Sequence, residues 1–124
     1  PTLIVQGKWN PASGAAAVSE LLSHGETFTA LVASNDDMAI GAMKQLHDSG
    51  IATPGAVSVI GFDDVAIAPY TVPSLSSVRI PVTEMIKETI SRLIFMLDGG
   101  EFKYQQTFSG ELILRDSVID GPHR

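Results

Sequence analysis

Three short apolar runs, residues 2–6, 29–33 and 57–61, are separated by two stretches whose apolar residues recur at helical spacing. This alternation constrains the fold more than any other feature of the chain. After the first run come Gly7-Lys8-Trp9 and then Asn10-Pro11, a capping side chain ahead of a proline placed where the first helical N–H goes unpaired anyway. Ala15, Val18, Leu21 and Leu22 continue the helical pattern, and Gly25 supplies a stop. The second run closes on Ser34-Asn35-Asp36-Asp37, which offers cap side chains and puts negative charge where a helix N-terminus favours it. Ala39, Ala42, Met43 and Leu46 form the next stripe and Gly50 ends it. Pro54-Gly55 turns the chain, and the third run leads directly into Phe62-Asp63-Asp64. Strands joined through helices run parallel, with right-handed crossovers. The expectation is therefore an α/β fold: a three-layer parallel sheet with helices on both faces.

Residues 65–78 contain no charged side chain, and Pro69 and Pro73 forbid a long helix there. That segment reads as irregular, with at most one helical turn, and it ends in a strand over residues 76–80. Pro81 opens a further helix whose apolar positions Val82, Met85, Ile86, Ile90, Leu93, Ile94 and Leu97 cover a wide face, and Asp98-Gly99-Gly100 stops it. Two late strands, 105–109 and 111–115, precede a polar tail. The wide face reads as core, with breadth to spare for a partner.

Charge and composition exclude several functions. The chain has 124 residues, 14 acidic against 8 basic, and a formal charge of −6, which repels a phosphate backbone. Without cysteine, disulfides and thiolate zinc sites are out of reach. A hydrophobic fraction of 44% is enough for a core, while the longest run of large apolar residues, 93–97, falls far short of the ~20 that span a bilayer. The expectation is a soluble globular chain. It starts at Pro1, without an initiator Met or a signal-type segment, and so reads as a piece of a longer protein.

In open parallel α/β sheets, ligands bind outside the carboxyl ends of the strands. Trp9 follows the first run, Asn35 and Asp36 close the second, and Asp63 and Asp64 close the third, so one aromatic, one amide and several carboxylates reach one edge of the sheet. A sugar suits that set. Its hydroxyls donate and accept, a carboxylate accepts from two of them, an amide does both, and an aromatic ring packs on the C–H face of a pyranose. The plainer readings are a helix cap for Asn35 and Asp36, a polar loop for Asp63 and Asp64, and a core aromatic for Trp9. His24, His47 and His123 have no metal-ligand spacing, and no metal or cofactor site is expected. No nucleophile elbow, phosphate-binding loop, H-E-x-x-H or G-x-G-x-x-G motif is present, so an enzyme is not expected. The acidic strand ends leave a magnesium-dependent phosphoacceptor as an alternative.

Ser34-Asn-Asp-Asp-Met-Ala-Ile-Gly-Ala-Met43, Pro54-Gly-Ala-Val-Ser-Val-Ile-Gly-Phe-Asp-Asp64 and Pro73-Ser-Leu-Ser-Ser-Val-Arg-Ile-Pro81 resemble the effector-binding core of the LacI/GalR transcriptional repressors. Residues 80–100, Phe108-Ser-Gly110 and Arg115-Asp-Ser117 are similar to the galactose-responsive isorepressor branch of enteric bacteria. The resemblance implies a periplasmic-binding-protein-like (type I) fold of two lobes with a sugar between them, in a cytoplasmic protein that needs no cofactor, is not an enzyme and does not enter a membrane. Carried over by residue, it implies ligand contacts from Trp9, Asn35 and Asp63, structural roles for Asp36 and Asp64, and homodimer contacts from Ile40, Ile67, Tyr70 and Val72. The implied sugar is D-galactose or a related monosaccharide, and operator DNA is met only through an N-terminal head absent from this chain. Residues 1–80 and 102–124 would form part of the C-terminal lobe, and residues 81–101 a helix of the first lobe. That helix is expected to pack against another copy of the chain or to fold back on its own sheet. A periplasmic sugar receptor of the same fold is the alternative.

Overall fold

The computed structural model describes residues 3–101 and 105–121. Thr2, residues 102–104 and His123 lie outside the described residues. The elements are helix α1 (Pro11–Ser23), strand β1 (Ala30–Val32), helix α2 (Asp36–Asp48), strand β2 (Ser58–Asp63), a 3-10 turn (Ala68–Tyr70), strand β3 (Ser76–Arg79), helix α3 (Val82–Leu97) and strand β4 (Glu111–Ile113). Both expected caps form: Asn10 Oδ1 accepts from the Ser13 N–H at 2.9 Å, and Asn35 Oδ1 from the Met38 N–H at 2.9 Å. The single turn expected between the two prolines is the 3-10 segment.

The sheet has the order β1-β2-β3-β4. The first two pairings are parallel and β4 joins antiparallel, so the sheet is mixed rather than wholly parallel. Helix α2 packs on β2 and α1 packs on α2. The two helices approach closely because position 41 lacks a side chain; a Cβ on Gly41 would collide with the carbonyl of Pro11. Their contact builds the core, in which Val18, Ala39, Leu46, Val59 and Leu75 are fully buried. On the opposite face of the sheet, Val32, Phe62 and Leu112 are exposed, so the described helices layer one face only.

Three expectations about elements are corrected. The first apolar run, residues 2–6, forms no strand over its described residues 3–6, which make no ladder with the free edge of β1. Residues 105–109 form none either: β3 ends at Arg79 and the chain leaves at Pro81, so nothing remains alongside for them to pair with. Helix α3 forms as expected but does not fold back, since none of its residues is buried.

Candidate functional site

The carboxyl end of the sheet gathers the N-termini of α1 and α2 and the end of β2. Asn35 caps α2 and also donates from Nδ2 to the Trp9 carbonyl at 3.4 Å, which ties the approaches to the two helices together. An amide used this way keeps one hydrogen and one lone pair for a ligand. Trp9 has a positive φ of 59° and is 67% exposed, which removes the core reading of this residue and leaves its ring at the edge.

Asp36, the first residue of α2, does not cap the helix with its side chain. It is fully buried, and each carboxylate oxygen is spoken for: Oδ1 accepts from Ser77 Oγ at 2.6 Å and Oδ2 from the Val65 N–H at 2.8 Å. Gly61 makes room for it, since a Cβ there would collide with Asp36 Oδ1. A buried carboxylate is tolerable only with such partners. Asp36 therefore binds the start of α2 to β3 and to the loop after β2.

Asp63 and Asp64 leave β2 with φ of 110° and 54°, a conformation that costs about 1–3 kcal/mol per residue unless neighbours over-determine it. Their side chains meet opposite surroundings. Asp64 is 5% exposed and accepts from Arg115 Nη2 at 2.6 Å and from Arg79 Nη2 at 2.7 Å. Burial alone would push its carboxyl up, but the hydrogen bonds and charges of Arg115 and Arg79 outweigh burial and hold it below the ordinary carboxylate value. Asp63 is half-buried, and among the described residues its carboxylate has neither a hydrogen-bond partner nor an ion pair. Burial, and then the nearby charges of Asp36 and Asp37, push its carboxyl above the ordinary value.

The structure thus joins Trp9 to Asn35 directly and sets Asp63 within electrostatic reach of Asp36 and Asp37. An apolar concavity lies elsewhere, between residues 3–5, α1 and β1. Sequence reasoning missed Ser77, Arg79 and Arg115. The paired serines at 76–77, set among core positions, were the available signal. Of the expected dimer contacts, Ile67, Tyr70 and Val72 are exposed and Ile40 is half-buried against the core.

An α/β lobe whose helix starts and strand ends meet at the carboxyl edge of its sheet has the form of a periplasmic-binding-protein-like (type I) core. Residues 1–118 match the periplasmic binding protein-like domain, and the chain belongs to that family, in the effector-binding core of the LacI/GalR regulators. It is 72% identical over 117 residues to the HTH-type transcriptional regulator AscG of Escherichia coli K12, covering 94% of this chain and 35% of that protein. To the E. coli K12 regulator GalR it is 38% identical over 117 residues, covering 94% of this chain and 34% of that one. The crystal structure of the E. coli repressor ascG superposes with a TM-score of 0.82 at 70% identity, over 94% of this chain and 42% of that chain. A complex of the transcriptional regulator CelR with cellobiose gives a TM-score of 0.85 at 30% identity, over 90% of this chain and 34% of that chain. The chain spans about a third of the length of the curated relatives it matches. Over 117 residues the identity to AscG is about twice that to GalR, so the similarity to the galactose branch noted in residues 80–100, 108–110 and 115–117 is outweighed by that to AscG.

Proposed function

We propose that this chain is part of the sugar-binding lobe of a cytoplasmic transcriptional repressor, binding its effector without catalysis. Residues 1–80 and 102–124 belong to the C-terminal lobe and residues 81–101 to the first lobe. The repressor dimerises through Ile40, Ile67, Tyr70 and Val72, and operator DNA is contacted by a head outside this chain. Sugar favours one lobe orientation by differential affinity, and linkage carries that preference to the DNA-binding heads. That the matched relatives are regulators supports this reading over a receptor or a phosphoacceptor.

The observation that carries the proposal is the half-buried carboxylate of Asp63, which has no partner among the described residues and lies within electrostatic reach of Asp36, the residue next to the Trp9-tethered Asn35. A half-exposed carboxylate that no protein group engages can exchange water for the hydroxyls of a sugar, which are donors. Asn35 supplies a further donor and acceptor, and Trp9 an apolar plate. D-Galactose is the first effector to test, with cellobiose, the ligand in the CelR complex, beside it. Trp9 is the only tryptophan, so its fluorescence reports on this edge alone. A saturable change with one of the two sugars, lost in Asp63→Ala, is the expected result. A flat titration with both overturns the reading.

A further inference from the structure

The turn that carries Asp63 is held by groups that are not among the three proposed to meet the sugar. Two consecutive L-residues with positive φ do not persist unaided. The N–H and both carboxylate oxygens of Asp64 are engaged. Its N–H donates to Ser77 Oγ at 3.0 Å, Oδ2 accepts from Arg79 Nε at 2.8 Å, and Oδ1 accepts from Arg115 Nη2 at 2.6 Å. Arg115 is itself fixed by donating from Nη1 to the Leu75 carbonyl at 2.6 Å. One residue further on, the Val65 N–H is held by buried Asp36. Asp63 has no such restraint on its own side chain, so the direction of its carboxylate is set by the backbone on which it sits. That backbone is set by Asp64.

We propose that Asp64 is a positioning residue: gripped by Arg79 from β3 and Arg115 from beyond β4, it fixes the turn that presents the Asp63 carboxylate to the sugar. The proposal rests on the reading of Asp63 as a sugar contact. A fork that merely stabilised the fold would leave the geometry of Asp63 unchanged when weakened.

Asp64→Asn separates these cases, because asparagine tolerates a left-handed backbone but cannot hold two guanidinium groups as an anion. Two readouts are needed: the three-bond HN–Hα coupling of Asp63 by NMR, which follows its φ, and titration with D-galactose and cellobiose followed by Trp9. In the variant the coupling moves away from its wild-type value, and the affinity for whichever sugar the wild type binds falls roughly tenfold or more. Arg79→Gln removes one arm from a half-exposed position and shifts both readouts less, in the same direction; it decides the matter if Asp64→Asn does not fold. Unchanged coupling in a folded variant overturns the proposal, and so does a moved coupling with unchanged affinity. If the wild type binds neither sugar, the sugar reading fails while the coupling still decides whether Asp64 positions Asp63.

Discussion

Asp63 and Asp64 are adjacent in sequence and identical in chemistry, yet their surroundings drive their ionisation in opposite directions, and stability should follow. Ionising Asp63 is disfavoured in the folded chain, so its penalty is absent below the ordinary value of 3.8 and grows as pH rises through the raised folded value. Asp64 behaves in reverse: its contribution is present above 3.8 and is lost as pH falls through the lowered folded value. In urea unfolding followed from neutral to about pH 3, Asp63→Asn should be more stable than wild type at neutral pH and converge with it in acid. Asp64→Asn should be less stable at neutral pH, with the gap closing in acid. Removing the carboxylate altogether, as in Asp64→Ala, should cost about 3 kcal/mol at neutral pH, the lower end for a buried pair because Arg79 is 52% exposed. The reverse ordering of the two Asn variants would show that the electrostatic contrast is misassigned. The carboxylates themselves were legible, since the third run ends on them. Their division of labour was not, because the partners of Asp64 lie 15 and 51 residues away and only strand register brings them near.

Whether an element was legible depended on what stabilises it. Helices α1 and α2 carry their own signals: caps, an apolar stripe and a stop, with a proline at the start of α1 and acidic residues at the start of α2. Strands need partners, which sequence pattern does not display, and so residues 3–6 and 105–109 look like strands yet have no ladder to join. The crossing of α1 and α2 shows what periodicity alone leaves out. Gly41 sits in the interior of α2, where alanine should gain about 1 kcal/mol from helix propensity. Its backbone faces Pro11 too closely for any Cβ, and over-packing of this kind typically costs about 1–3 kcal/mol. Gly41→Ala should therefore lower the denaturation midpoint, and by spreading the helix starts it should also weaken the Asn35–Trp9 tether and any sugar response reported by Trp9. A rise in the midpoint would mean that the helices part without cost. Asn35→Ala removes the cap together with the Trp9 tether, and the loss of the cap should cost about 1 kcal/mol in the same assay.

At the scale of the whole molecule, the unresolved balance lies in α3. Ile86, Ile90, Leu93 and Leu97 fall at helical spacing on one stripe, and each is more than half exposed. A large aliphatic side chain gains about 1.5–3 kcal/mol on full burial, so an uncovered stripe of four is a strong drive to associate. The wide face read from the sequence as core is therefore core only in the company of other chain, and packing against a second copy is the expectation that the observed conformation leaves standing. In sedimentation velocity, the average mass should rise above the 13.2 kDa of one chain as concentration climbs through the micromolar range. The double substitution Ile86→Glu and Ile90→Glu should hold it at one chain, because association would then bury unpaired carboxylates. Neither position belongs to the core around α1 and α2, so the fold and the edge with Trp9, Asn35 and Asp63 should survive, visible as unchanged circular dichroism and tryptophan emission. A wild-type chain that stays at the mass of one copy at every concentration would show that the stripe is tolerated in water. The same double variant associating as strongly as wild type would place the contact elsewhere, with the exposed sheet face at Val32, Phe62 and Leu112 the next surface to substitute.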